Sequence, residues 1–346
     1  WWESQYLQMI GYFKNIACLV LVLGAMQVTV AQQSSAKVGT SGSHFINISP
    51  DARYAAMANS GSGLINYDAS SIFYNPASLV YLQRPSLVFS QVNWFADVKF
   101  SALAGGMKSK YGSLGFQLKT LNSGEIIETT VDQSDGTGRN YNWNDMLISL
   151  TGARSFTNQF SIGINLGYLQ QSVSLYGLDA DAYVLDLGAL YKTGFRSLTL
   201  GMSVRNFGPE LNFTTDGKDA EFDDYNNGEL LAEKESYRPF HMPLSFQVGI
   251  TYTFLESNPT HSLLLAVDGV HPNDSDERLN VGLEYSFMGQ FYVRMGGYSN
   301  HDTGRYMGGF GFDLSKLFSP KIRVDYAVSD YSLIGTVSQL SLGILF

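Results

Sequence analysis

The sequence predicts an all-β protein: a 14-stranded antiparallel transmembrane β-barrel with an N-terminal plug segment. Three observations carry that expectation. Apolar and polar residues alternate with period two in stretch after stretch. Those stretches run about ten residues, the length a tilted strand needs to cross a bilayer and longer than the five or six usual in soluble sheets. Ahead of them stands an irregular, small-residue-rich segment, FINISPDARYAAMANSGSGLINYDASSIFYNPASLVYL, that follows neither a strand nor a long-helix pattern.

Taken in chain order, the first 31 residues read as upstream sequence and an export signal. Met9 is a start, Lys14 a positive n-region, Ile16 to Val30 a mostly apolar run, and Ala31 a small residue for cleavage. The run is short of the roughly 20 apolar residues of a spanning helix and is interrupted by Gln27. Cys18 is the single cysteine and precedes the apolar core, the wrong order for a lipoprotein signal.

Residues 32–84 form the expected plug. Pro50-Asp51 has N-cap character, Ala52, Ala55, Ala56 and Ala58 allow close packing of a short helix, and Asn75-Pro76 imposes a turn before the first strand. Non-strand backbone at membrane depth is tolerated only where protein or a cavity surrounds it, and a barrel this wide has a lumen to hold it.

Residues 85–346 form the barrel, with about fourteen strands, among them 86–96, 142–155, 181–193, 242–254 and 336–346. In Ser197–Arg205 the apolar set is Leu198, Leu200, Met202 and Val204, against Ser197, Thr199, Gly201, Ser203 and Arg205. Leu279–Phe287 and Lys321–Val328 alternate in the same way. Aromatic residues at strand ends, such as Trp94, Phe95, Trp143, Phe287, Phe291 and Tyr331, suit an interfacial girdle. With a periplasmic N-terminus, odd-numbered connections face outward and should be the long ones. The two longest, 122–141 and 207–241, follow the third and seventh strands. The last strand ends on Phe346, as the insertion signal of outer-membrane barrels does.

Composition narrows function. A net charge of −9 with 15% charged residues leaves no basic stripe for nucleic acid. The five histidines are scattered, and no nucleophile–base set is visible, so neither an enzyme nor a cofactor or metal site is expected. The stretch HPNDSDER (271–278) reads as an exposed turn rather than a calcium loop, and GSGL at Gly61 is too short for a phosphate loop. Inward charges, among them Lys119, Asp268, Glu284, Arg294, Arg305, Lys321, Arg323 and Asp325, are expected to pair with Arg53, Asp51 and Asp68 and so hold the plug. The acidic connection 207–241, with Asp216, Asp219, Glu221, Asp223 and Asp224, is a candidate partner-binding loop.

GTSGSHFINISPDARYAAMAN, followed by DASSIFYNPASL, resembles the N-terminal signature of the PorV/PorQ family, itself similar to FadL-type transporters. VRNFGPEL, MPLSFQVGITY and AVDGVHPNDSDERLNVGLEYSF extend the resemblance over nearly the whole mature chain. It implies a FadL-like barrel of the bacterial outer membrane, with Pro50, Asp51, Ala52, Arg53, Asp68, Ala69, Asn75 and Pro76 as the plug motif. It also implies a role in type IX secretion, with the barrel binding or shuttling cargo proteins that carry C-terminal signal domains. The partners would then be secretion components, cargo and outer-membrane lipid. The alternative is FadL-like transport of a small hydrophobic molecule.

Overall fold

The computed structural model describes residues 39–175, 177–215, 218–219, 221–226, 229–301, 303–315, 319–332 and 334–346. The expected export signal, residues 1–31, lies outside them. Fourteen antiparallel strands close into one ring: β1 Ser86–Asn93, β2 Lys99–Ser109, β3 Gly112–Asn122, β4 Trp143–Ser155, β5 Phe160–Val173, β6 Leu178–Lys192, β7 Thr199–Phe207, β8 Ser245–Phe254, β9 His261–Pro272, β10 Arg278–Phe287, β11 Phe291–Ser299, β12 Tyr306–Asp313, β13 Lys321–Asp330 and β14 Thr336–Leu345. Each strand pairs with the next, and β1 closes on β14 from Ser86 opposite Leu345 to Asn93 opposite Ser338.

Alternation sets which face is which. In β7 Leu200 and Met202 are exposed, while Thr199, Gly201 and Ser203 are buried. In β10 Asn280, Gly282 and Glu284 are buried, and Leu279 and Tyr285 are exposed. On these strands apolar side chains point out of the ring and polar ones into it, as a hydrocarbon solvent demands. Val88, Phe100, Leu147, Leu169 and Val184 of β1, β2, β4, β5 and β6 are instead buried in one apolar cluster with residues 45–82. No helix among the described residues is long and apolar enough to cross a membrane.

The inward polar face has a partner. Residues 41–82 carry short helical pieces: 3-10 turns His44–Asn47, Ala69–Phe73 and Pro76–Tyr81, and one α-helical turn, Ala52–Ala56. Pro76–Tyr81 meets β3 to β6, Ala69–Phe73 meets β1 to β3, and Ala52–Ala56 meets β11 to β14. Between them, Ser62 lies against Gly201 of β7, Gly63 bonds Thr251 of β8, Ser62 bonds Asp268 of β9 and Arg53 bonds Glu284 of β10. The segment thus touches all fourteen strands from their buried side and lies within the ring.

The rim corrects two expectations. Trp94, Phe95 and Tyr331 do not form a lipid-facing girdle; they pack edge to face on one another, with ring centroids 5.0 to 5.6 Å apart, against the core at the long-connection end. Trp143 turns inward likewise, 5.8 Å from Phe213. Aromatic residues at the other end, Phe287, Phe291 and Phe312, do form a chain along the outer surface. The connection 207–245 is also more than a loop: Glu221–Asn226 pairs with Glu229–Ser236 as a hairpin.

Candidate functional site

The segment's backbone has no strand partner, so its polar groups must find others. Wall side chains supply them. Ser341 accepts from the Ala52 N–H at 2.8 Å, Lys119 Nζ donates to the Ile46 carbonyl at 3.1 Å, and Gln339 donates to the Ser49 carbonyl at 3.1 Å. The densest contact is ionic. Arg53 donates from Nε and Nη2 to the two Glu284 oxygens at 2.8 and 2.7 Å, a bidentate fork. Glu284 also accepts from Arg294 Nε at 2.6 Å, and Arg294 Nη1 reaches Asp325 at 2.7 Å. Arg323 closes the chain onto Asp325 at 2.8 Å. Three arginines and two carboxylates therefore run from the segment across β10, β11 and β13.

The other expected plug residues are all buried, with different tasks. Asp51 caps the Ala52–Ala56 turn, accepting from the Tyr54 N–H at 3.3 Å, and Ala52 packs with Ala55, Ala56 and Ala327 of β13. Asp68 caps Ala69–Phe73 through the Ser70 N–H at 2.9 Å and binds Asn66. Among the described residues neither Asp51 nor Asp68 comes within 4.0 Å of a wall cation, though both feel Arg323; of the three residues expected to make the link, Arg53 makes a direct ion pair. Asn75 caps Pro76–Tyr81 and donates to the Ser62 carbonyl at 2.6 Å and the Ala189 carbonyl of β6 at 3.1 Å. Pro50 is buried beside Asp51, and Ala69 lies in the main apolar core. Arg305 and Lys321, expected inside, are exposed at strand ends.

Two features escaped sequence reasoning. The GSGL stretch is an anion cradle after all, for a carboxylate of the wall: Gly61 N–H, Ser62 N–H and Ser62 Oγ all donate to one Asp268 oxygen, at 2.9, 2.8 and 2.7 Å. Its signal was two small residues facing a lone inward aspartate. The second is a cavity of about 170 Å³ at the rim, lined by Asn206, Phe207, Glu210, His241, Met242 and Leu244 among others. It sits where the β6–β7 register breaks between Leu185 and Leu187, and Asn206, at φ 61°, donates its N–H to Asp186 at 2.7 Å. His241 Nδ1 lies 3.1 Å from Glu210 at its edge.

HPNDSDER is not simply an exposed turn. Asp274 is buried, bonded by Ser41 and 3.5 Å from His44 Nε2. That same nitrogen is 3.3 Å from Ser41 Oγ. One ring nitrogen faces both groups, so the carboxylate cannot orient the imidazole from its far side as a serine–histidine–aspartate relay requires. No cluster of metal-ligating side chains occurs among the described residues. Of the candidate partner-binding loop, Asp216 lies outside the described residues, while the backbone at Asp219, Glu221, Asp223 and Asp224 is in strand. Phe346 follows β14, and its N–H donates to the Pro85 carbonyl at 3.0 Å.

Solved structures share this architecture. The Pseudomonas putida toluene transporter TodX superposes with a TM-score of 0.53 at 12% identity, over 84% of this chain and 95% of its own. The Ralstonia pickettii toluene transporter TbuX gives 0.52 at 12%, over 86% and 98%. The CymD monoaromatic hydrocarbon channel gives 0.51 at 14%, over 84% and 95%. The chain shares the fold of these proteins, a closed ring of fourteen antiparallel strands. No protein-family model matches the sequence, and no curated protein matches it.

Proposed function

We propose that this barrel takes up a small hydrophobic molecule at its outer rim, the FadL-like transport reading. The rim cavity carries it. Phe207, Met242 and Leu244 give apolar lining, and Glu210 with His241 gives a polar edge that would orient a ligand. A dry cavity of about 150 Å³ holds benzene, so one aromatic ring is the right size for this one. The solved structures that resemble the barrel are a monoaromatic hydrocarbon channel and toluene transporters, which supports the same ligand class. Onward passage requires the segment to shift, since it lies across the ring. The test is toluene binding by the purified barrel, with Leu244→Trp to fill the cavity. Binding by the wild type and its loss in the heat-modifiable variant are expected; equal binding by both overturns the reading.

A second reading has its own observation. The PorV/PorQ motifs and the ion-paired segment within the ring favour a closed barrel in type IX secretion, with the connection 207–245 as a docking surface for cargo carrying C-terminal signal domains. Its test is co-purification of such cargo from outer membranes. Cargo capture that survives Leu244→Trp, together with absent toluene binding, would favour this second reading over the first.

A further inference from the structure

Three consecutive turns at the short-connection end share one composition. The β2–β3, β4–β5 and β6–β7 turns, residues 107–115, 153–160 and 191–198, hold Lys108, Lys110, Arg154, Lys192 and Arg196 and no aspartate or glutamate, in a chain with 31 acidic and 22 basic residues. Each turn also exposes one aromatic ring: Tyr111 at 77%, Phe156 at 64% and Phe195 at 64%. Lys110 Nζ stands 5.7 Å from the Tyr111 centroid, and the Arg196 guanidinium 6.0 Å from that of Phe195. The other turns at this end differ: the β8–β9 turn has Glu256 with Leu255, the β10–β11 turn has Met288 without a charge, and the β12–β13 connection has Asp313 along with Lys316 and Lys321.

These tight turns adjoin the apolar outer belt, whose members on the same strands include Met107, Leu114, Tyr191 and Leu200; Lys192 is the exception, its Nζ standing 4.0 Å from the Tyr81 ring of the inner segment. An aromatic ring is at home at headgroup depth, and a cation beside it meets the phosphate layer. We propose that this arc, β2 to β7 at the periplasmic end, binds the phosphate headgroups of anionic phospholipid in the adjoining leaflet. The barrel would then gather a fixed annulus of acidic lipid on one side only, despite its own net charge of −9.

The test uses the full chain, purified in detergent and immobilised, and measures retention of headgroup-labelled phosphatidylglycerol against phosphatidylcholine. Each surface cation contributes about fivefold in affinity for an acidic surface at low salt. The wild type should therefore prefer phosphatidylglycerol several-fold, and the preference should collapse when salt is raised from about 0.05 M to about 0.5 M. Lys108→Gln with Lys110→Gln and Arg154→Gln should abolish it while heat-modifiability is retained. Lys321→Gln, on the other side of the ring, should leave it intact. Parity in the wild type overturns the proposal. So does a preference that survives the triple variant, or tighter retention of lipopolysaccharide, which belongs to the opposite face.

Discussion

Glu284 accepts from two arginines, one on the segment and one on the wall, and this sharing decides what each substitution does. Arg53→Ala strips one side of a buried carboxylate. The penalty for breaking such a pair is about 3 kcal/mol, at the low end of the usual range because Arg294 still bonds Glu284. The loss falls on docking of the segment, since the wall keeps its own ladder. Planar-bilayer recordings should show a leaky Arg53→Ala barrel and a quiet wild type, with heat-modifiable migration in both. Arg53→Lys should leak to an intermediate degree, because one ammonium cannot fork onto both oxygens. Asp51 offers a second lever. Its burial, then the nearby Asp68 and Asp325 carboxylates, push its carboxyl up to about 7, against a lowering by Arg323. A raised docked pKa means the protonated form favours docking. That contribution is full below the free value of 3.8 and gone once pH rises past about 7. Leak should therefore grow between about pH 4 and about 7, and Asp51→Asn should flatten the profile. An unchanged slope in Asp51→Asn would assign the effect to another group.

At the scale of elements, the closest approaches run through inward glycines. A Cβ on Gly163 of β5 would sit 2.3 Å from the Pro76 carbonyl carbon, and one on Gly201 of β7 would sit 1.8 Å from the Ser62 oxygen. Gly282 and Gly296 stand in the same relation to Met57, Ala58 and Ser60. Gly201→Val should push the segment away from the wall and open conductance, whereas Gly152→Val, with nothing within 4 Å of its Cβ, should be silent. Assembly yield and single-channel recording separate the two outcomes. The lipid face is tested by Leu200→Arg, a charge on an exposed mid-strand position that costs about 2–4 kcal/mol at the midplane and should lower folding yield. Ser203→Arg, on the buried face, should also be poorly tolerated, because the segment leaves no spare lumen for a long side chain. The strands were legible because lipid on one side and polar groups on the other force a two-residue period over a bilayer's thickness. The cap at Asp51 and the turn at Asn75-Pro76 were legible from local residue types, whereas Asp68 reads as a charge partner and proves to be a cap. Which glycine faces which turn was not legible, because it depends on contacts between residues far apart in the chain. The rim cavity was hidden likewise, since Phe207 and Met242 meet across a long connection.

For the whole molecule, wall and segment are held by different forces. The wall is a closed hydrogen-bonded ladder with no free edge, and none of its strand pairing runs through the segment. The segment is held by caps, glycine contacts and one ionic chain. Removing residues 44–82 should leave a β-rich, heat-modifiable barrel that conducts far more than the intact chain. A helical circular-dichroism spectrum of the intact chain would contradict the fold outright. The contacts of the segment also set an order of events in time. It precedes every strand in the chain, yet Ala52–Ala56 docks on β11 to β14 and Arg53 on β10, the last to be made. Pro76–Tyr81 has its partners once β3 to β6 are in place, but the sites of Arg53 and Ala52–Ala56 exist only when β10 to β14 have joined. That half of the segment must therefore wait, unpaired, and its docking becomes a timestamp for closure. In refolding followed by tryptophan fluorescence, Trp94, which packs over this region, should change last, after the ladder is complete.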